Sequence, residues 1–545
     1  MKKLQGIIFQ FLKTHCAEIV CFCLFIILLF VGWWIHELWY DELHAWLVAK
    51  DAPWGEILFF LPHFEGHPPF YHILLAVPAK LGIGWQWGMR WVNLCSIAAA
   101  YLLIFKSPFP RWVRVTLPFS FFLFYQYSVI ARPYSIFMLI LFLLAYYFPQ
   151  KDERPYLFTS LLGALCACHL LGITIAGGIA IAWLWEIKAH QPWKQFLHAL
   201  LKDKRFHALL WLLTGTLVLC ALIFPTISVG QFTIYAKCSP LKRLFYLWFM
   251  APADMVITNL LHVGYLAQLQ TTFWEACNAL VITSVIWILL WKGLRRTYGL
   301  YLVLPYILSS FVMIFYCYRH HLGILLLLFI WYCWISLQSN PLPANYHTPR
   351  FKKIVRLFLI LALFISVSWT VCDFIWDIKY PITAGKKFAD FIKKHDLIDK
   401  YILINWRSTT VETKDGNKKI ESFVNLAFSQ PINFGMEKNI FANFDPPVNT
   451  TYYVPFHIDK AMIPFYMQHW RLRGKPDMLV GEVPLHEIFP QEESPIWDYE
   501  LVYQIVEYHL WKFDPPSTGI ANIYVRKDLL QKHHLTPIKG LPTMD

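Results

Sequence analysis

Charge is what this chain has least of. Only 15% of its 545 residues are Asp, Glu, Lys or Arg, where a soluble globule carries about a quarter. Set beside 57% hydrophobic residues, that shortage excludes an ordinary water-soluble core and leaves a polytopic membrane protein. Cysteine is missing after Cys372, and the twelve present fall almost entirely within or beside apolar runs, which excludes a disulfide-stapled ectodomain. Cys166 and Cys168 stand two apart in an apolar segment, the wrong spacing and setting for a zinc or thioredoxin-type motif. A continuous basic face is missing too. The formal charge of +13 is split into short Lys/Arg clusters between apolar runs, which argues against nucleic acid as a partner. No small-residue cleavage site follows the first apolar run, so Lys2, Lys3 and Lys13 ahead of it read as the flank of a retained signal anchor. Internal repeats and low-complexity tracts are absent.

What is present is a succession of apolar runs, about eleven when judged against roughly 20 residues per crossing. They are expected near Ile19–Trp34, Met89–Phe105, Val115–Ile130, Tyr134–Phe148, Tyr156–Cys168, Leu170–Trp185, Phe206–Phe224, Cys277–Trp291, Tyr298–Cys317, Leu322–Ile335 and Ile354–Val371. Phe245 to Ala267 is apolar enough to cross, but a crossing there would move the Lys292–Arg296 loop against its charge. Pro240, Pro252 and Asp254 favour an interfacial or re-entrant segment instead. Lys/Arg clusters at 106–114, 151–154, 188–205, 292–296 and 350–356 occupy alternate connections, which the positive-inside rule places in the cytoplasm. By parity Asp41 to Pro69, Arg132, His169, Arg319 to His321 and everything after Cys372 lie outside.

Past Tyr380 the composition turns to mixed charge with turn dipeptides such as Asp415-Gly416 and Asp445-Pro446. A helix is expected over Ala384–His395, and strands over Tyr401–Trp406, Thr451–Phe456 and Ile520–Val525. The fold class expected is therefore mainly α: a helical membrane domain over residues 1–375, followed by an extracytoplasmic α/β domain over residues 376–545.

Two acidic clusters stand out against this apolar background. Tyr40-Asp41-Glu42 follows the first run directly, and Glu65-Gly66-His67-Pro68-Pro69 follows a short aromatic-rich stretch. Carboxylates at a membrane surface are costly unless they are solvated, paired or used, so the first outer loop, about 35–86, is read as half of an active site.

A first span ending in aromatic-Asp-Glu, a loop closing in His-Pro-Pro-Phe-Tyr and an arginine, Arg90, opening the next span resemble the GT-C glycosyltransferases. Within them the pattern is similar to the protein O-mannosyltransferase-like and aminoarabinose-transferase-like branch of family 39. Ile130-Ala131-Arg132-Pro133-Tyr134 is similar to the arginine motif between their third and fourth spans, and Tyr318-Arg319-His320-His321 to their late arginine motif near the lipid phosphate.

The resemblance implies an integral-membrane enzyme of the cell envelope, in a bacterial cytoplasmic membrane. It would transfer a monosaccharide, with inversion, from a polyprenyl-phosphate donor to a hydroxyl of a lipid, glycan or protein acceptor. That reaction needs a carboxylate base and cations for the leaving phosphate. Asp41 is the expected base. Glu42, whose side chain must diverge from that of its neighbour, orients a loop, shares a metal with Asp41 or contacts substrate, and Glu65 is the second carboxylate of the pocket. Arg132 and Arg319 are expected on the leaving phosphate because guanidinium forks bind it bidentately, with His67, His320 or His321 assisting. Some relatives use a divalent cation, and Asp41 with Glu42 would be the ligands for Mg or Mn. The alternative is a transporter or flippase of a lipid-linked precursor. Such folds usually show paired broken helices in two related halves, and no such symmetry is visible here.

Overall fold

The computed structural model describes residues 2–38, 40–189, 202–224, 239–257, 273–293, 298–315, 319–338, 348–379, 385–397, 400, 402–404, 407–412, 418–423, 475–481, 498–511 and 514–538. Over these residues the protein is mainly helical. Five helices are long and apolar enough to cross a membrane: Cys16–Ile35, Trp85–Phe105, Leu170–Lys188, Lys204–Ile223 and Pro349–Lys379. Shorter apolar helices cover Tyr134–Gln150, Pro155–Cys168, Ala276–Lys292, Gly299–Phe315 and Leu322–Gln338. The chain is therefore a multi-pass membrane protein.

Each expected run falls on one of these helices except Val115–Ile130. There a short helix, Arg111–Thr116, gives way to a 3-10 turn, Leu117–Phe119, and then to a π-helix, Phe122–Val129. Pro118 removes a backbone donor from the helix ladder, and Ser120 and Ile130 are extended, so an apolar composition long enough for one rod is broken into pieces. Phe245–Ala267 is likewise no single rod: Pro240–Phe249 and Ala251–Ile257 are separate short helices, and residues 258–272 lie outside the described set.

The first loop is largely helical. Tyr40–Asp51 and Phe70–Lys80 are helices, joined through a π-helical turn at Glu56–Phe60 and a short helix at Leu61–Glu65. Gly66, at φ 65°, ends that short helix in the left-handed region where a side chain would be strained, and its N–H returns to Pro62 O at 2.9 Å. Pro69 then precedes the Phe70–Lys80 helix, where its missing N–H costs nothing.

The helical core is one continuous apolar cluster in which small residues let helices approach. The Gly299–Phe315 helix lies along Leu170–Ala189, with the backbone of Pro305 directly over the Cα of Gly178.

At the C-terminal end, β1 (Ile402–Ile404), β4 (Met478–Gly481), β5 (Tyr499–Trp511) and β6 (Asp514–Arg526) form a sheet in the order β1-β4-β6-β5. Separately, β2 (Arg407–Glu412) and β3 (Lys418–Phe423) form a hairpin pair. β1 and β4 are parallel, and β6 is antiparallel to both its neighbours. A helix, Gly385–Lys394, buries Phe388, Phe391 and Ile392 against Met478, Val480, Ile505 and Ile523 of this sheet. The helix expected over Ala384–His395 coincides with Gly385–Lys394, and the strands expected at Tyr401–Trp406 and Ile520–Val525 coincide with β1 and part of β6. The strand expected at Thr451–Phe456 lies outside the described residues, as do Asp415-Gly416 and Asp445-Pro446.

Candidate active site

Asp41 and Glu42 occupy the first turn of the Tyr40–Asp51 helix, where unsatisfied N–H groups favour negative charge. Being consecutive on a helix, the two carboxylates point apart and meet different partners. Asp41 Oδ2 is ion-paired with Arg132 Nη1, and the carboxylate remains half-exposed. Glu42 is fully buried. Its Oε1 accepts the backbone N–H of Ala131 at 2.6 Å and its Oε2 accepts from His36 Nε2 at 3.1 Å.

Both carboxylates therefore act on the same four residues, Ile130-Ala131-Arg132-Pro133. This segment sits between the π-helix Phe122–Val129 and the helix Tyr134–Tyr147, and Pro133 keeps the residue before it from continuing a helix. Arg132 N–H bonds Ile130 O at 3.0 Å, a three-residue turn. The Ala131 carbonyl accepts from Tyr71 of the Phe70–Lys80 helix at 2.7 Å. Ala131 is thus held on both sides by the first loop, and its neighbour's guanidinium is aimed at Asp41. Arg90, expected to open the next span, donates to Trp33 O at the end of the first span, and Trp33 Nε1 donates to Ser128 O at 3.1 Å.

Behind Arg132 lies a cluster of histidines. His169 is the single extended residue between the Pro155–Cys168 and Leu170–Ala189 helices, and its Nδ1 accepts from Leu171 N–H at 3.1 Å. Ring centroids lie 5.5 Å apart for His67 and His169, 5.0 Å for His169 and His321, and 4.4 Å for His320 and His321. Tyr134 packs among them, 5.6 Å from His169 and from His320, and the Arg132 guanidinium lies 5.8 Å from the Tyr134 ring centre. Tyr127 donates to His320 O at 2.7 Å and fixes the turn Arg319–His321. Burial holds His169, His320 and His321 well below the usual histidine range, and Arg132 with the neighbouring rings pushes them further the same way. That direction favours the neutral imidazole at pH 7, a form that carries one N–H on each ring.

The sequence-derived candidates thus fall in three groups. Asp41, Arg132, His320, His321 and His67 are linked by successive contacts: Asp41 pairs with Arg132, Arg132 lies by the Tyr134 ring, Tyr134 packs against His320 and His321, and His67 packs against His169 beside them. Glu42 is adjacent but faces inward, its contacts those of a residue that holds a loop. Glu65 and Arg319 are placed by backbone only, at the end of the Leu61–Glu65 helix and in the Arg319–His321 turn, and their side chains lie outside the described atoms. Asp41 and Glu42, considered above as a cation pair, turn to a guanidinium and an imidazole respectively. Among the described residues no group of three or more His, Cys, Asp or Glu is placed to hold a metal ion.

Sequence reasoning missed His36, Asp377 and Tyr125. His36 Nδ1 lies 3.4 Å from Asp377 Oδ2, which also accepts from the Tyr125 hydroxyl at 2.8 Å. Burial by itself would lower the His36 pKa, but Glu42 and Asp377 override it and raise it to about 10. The available signal was the pair Asp373 and Asp377, four apart at the end of the last long helix and both buried or nearly so.

A second polar cluster joins other helix ends. Lys151 reaches Glu186 at 3.3 Å, and Arg205 reaches Asp152 at 3.1 Å and Asp203 at 2.6 Å. Trp183 Nε1 donates to Asp152 Oδ1 at 3.0 Å. The Tyr134–Gln150 helix runs from Arg132 to this cluster.

Comparison with protein-family models, curated proteins and solved structures finds no match.

Proposed function

We propose that this chain is an integral-membrane glycosyltransferase of GT-C type. It moves a monosaccharide from a polyprenyl-phosphate donor to an acceptor hydroxyl at the outer face of a bacterial cytoplasmic membrane, the face that also carries the C-terminal domain. The observation that carries this reading is the Asp41–Arg132 ion pair, backed by neutral histidine donors around Tyr134.

With no donor bound, Arg132 satisfies Asp41. A donor phosphate, with more negative charge and a better match to the guanidinium fork, competes for Arg132 and releases the half-exposed carboxylate. Asp41 is then free to accept the proton of the attacking hydroxyl as the new bond forms at the anomeric carbon. The bond from that carbon to the phosphate oxygen breaks, and the polyprenyl phosphate leaves with its charge met by Arg132 and by N–H groups of His67, His320 and His321. Arg319, from the same turn as His320 and His321, completes the phosphate site in this reading. Glu42 positions the Ala131–Arg132 segment and takes no proton.

The test is incorporation of labelled sugar from a panel of polyprenyl-phosphate donors by the purified protein beside Asp41→Asn. Transfer by wild type that drops by about 100-fold or more in the variant is the expected result, since a positioned base contributes on that scale. Equal rates would remove Asp41 from the role, and transfer from no donor would remove the reading.

A further inference from the structure

We propose that His36 is a positioning residue of this site, bridging Glu42 to Asp377 as an imidazolium and so holding Arg132 beside Asp41. Its consequence for transfer rests on the function proposed above; the bridge itself rests on geometry.

His36 is the first residue after the span Cys16–Ile35, and it is buried. Each of its ring nitrogens faces a carboxylate oxygen, Glu42 Oε2 at 3.1 Å and Asp377 Oδ2 at 3.4 Å. A carboxylate can only accept, so an imidazole between two of them needs a proton on both nitrogens. The other oxygen of Glu42 takes the Ala131 N–H at 2.6 Å, one residue before Arg132. Asp377 in turn takes the Tyr125 hydroxyl at 2.8 Å, from the π-helix that leads into Ala131. The bridge therefore ties the end of the first span, the first-loop helix, the broken segment before Arg132 and the last long helix at one point.

The charged and titratable groups that face this point are Glu42 from Tyr40–Asp51, Asp377 and Asp373 from Pro349–Lys379, Tyr125 from Phe122–Val129, and Glu37 beside His36 itself. Arg90, from Trp85–Phe105, also interacts electrostatically with Glu42. Acids outnumber bases in this group. Without the positive ring, Glu42 and Asp377 confront each other in a buried space, and two like charges there must separate or take up a proton. Either response moves Glu42 away from Ala131, and Arg132 loses its aim. Its loss is felt when the leaving phosphate develops charge, so turnover falls more than donor binding.

Two measurements on the full-length protein in lipid nanodiscs test this. In nitrogen NMR with labelled histidine at pH 8.5, wild type should show an imidazolium signal that vanishes in His36→Gln and titrates at lower pH in Asp377→Asn. In sugar transfer from a polyprenyl-phosphate donor, His36→Gln should lower kcat at least tenfold while the donor KM changes less than threefold. Tyr125→Phe, which deletes one hydroxyl and keeps the ring, should lower kcat about threefold and carries the kinetic test if His36→Gln does not fold. An imidazolium signal indifferent to His36→Gln overturns the bridge. Unchanged kcat in both variants, with wild type active, overturns its positioning role. A wild type that shows the signal but transfers no sugar overturns the transferase reading and leaves the bridge standing.

Discussion

Asp41 and Arg132 are ion-paired with unequal exposure, the carboxylate side chain 46% accessible and the guanidinium 17%. The arginine is the fixed member, because its backbone is pinned through Ala131 by Glu42 and Tyr71, and the aspartate is the member that can change partner. An Arg132→Lys protein keeps a positive charge but loses the planar fork, and lysine is a compact, strongly hydrated point charge. We expect its kcat to fall about tenfold, near the strength of one charge-assisted hydrogen bond, with a smaller rise in donor KM. Initial rates of sugar transfer against donor concentration check this, and kinetics equal to wild type would mean that the fork does not meet phosphate.

The His36 bridge makes stability depend on pH. In the folded protein the ring holds its proton to about pH 10, against 6.5 when exposed, so its contribution is fully present below pH 6.5 and is lost as pH rises through about 10. Removing one partner of a buried pair costs about 3–5 kcal/mol. Thermal unfolding in nanodiscs from pH 6 to pH 10.5 should show a midpoint that declines from about pH 6.5 to about pH 10 in wild type. In His36→Gln the midpoint should be lower at pH 7 and flatter toward high pH. Parallel curves for the two proteins would show that His36 is not the group responsible.

The spans were legible because lipid imposes a length: a run of apolar residues between charged turns has few other uses. The breaks inside Val115–Ile130 were missed for the same reason, since apolar content alone does not separate a continuous rod from a 3-10 turn followed by a π-helix. Pro118 and Ser120 carried the missing signal. Asp41 and Arg132 were legible because charges at span ends are conspicuous against so apolar a background. His36 and Asp377 were not, because they are 341 residues apart and each alone reads as an ordinary polar residue at a helix end. His169 was visible as a one-residue break between two short runs, but its company with His67 and His321 depends on how the helices cross, which periodicity does not report. In the C-terminal region the β6 run was plain, whereas the parallel pairing of β1 with β4 is a tertiary choice.

Close approach of two membrane helices gives a prediction independent of chemistry. The Cβ of any side chain at Gly178 would overlap the backbone N and Cα of Pro305, which cannot swing aside as a flexible side chain would. Gly178→Ala should cost about 1–3 kcal/mol, the usual penalty for overpacking, and Gly178→Leu more. Gly163, with only a leucine methyl 3.9 Å from its would-be Cβ, is the matched control, and Gly163→Ala should leave stability within about 0.5 kcal/mol of wild type. Unfolding midpoints of the two alanine variants in the same detergent check the difference, and equal midpoints would mean that the Leu170–Ala189 and Gly299–Phe315 helices are not seated as described.

The face of the membrane that the site occupies can be read by labelling. Exposed residues near its two ends can be made reporters: Asp51 at the end of the helix that carries Asp41, Lys532 after β6, and Glu153 next to the Lys151–Glu186 cluster. Arg132 and Lys151 flank the two ends of one apolar helix, Tyr134–Gln150, so the first and third reporters should lie on opposite sides if that helix crosses. The basic clusters assign the Glu153 side to the cytoplasm, and the even number of crossings expected between Asp41 and the C-terminal region returns Lys532 to the side of Asp51. In a background with the native cysteines replaced, Asp51→Cys and Lys532→Cys should react with a membrane-impermeant maleimide on intact cells. Glu153→Cys should react only after the membrane is opened. Reaction of Asp51→Cys and Glu153→Cys from one side would mean that Tyr134–Gln150 lies in the membrane without crossing it. The outward placement of the Asp41–Arg132 site would then have no support.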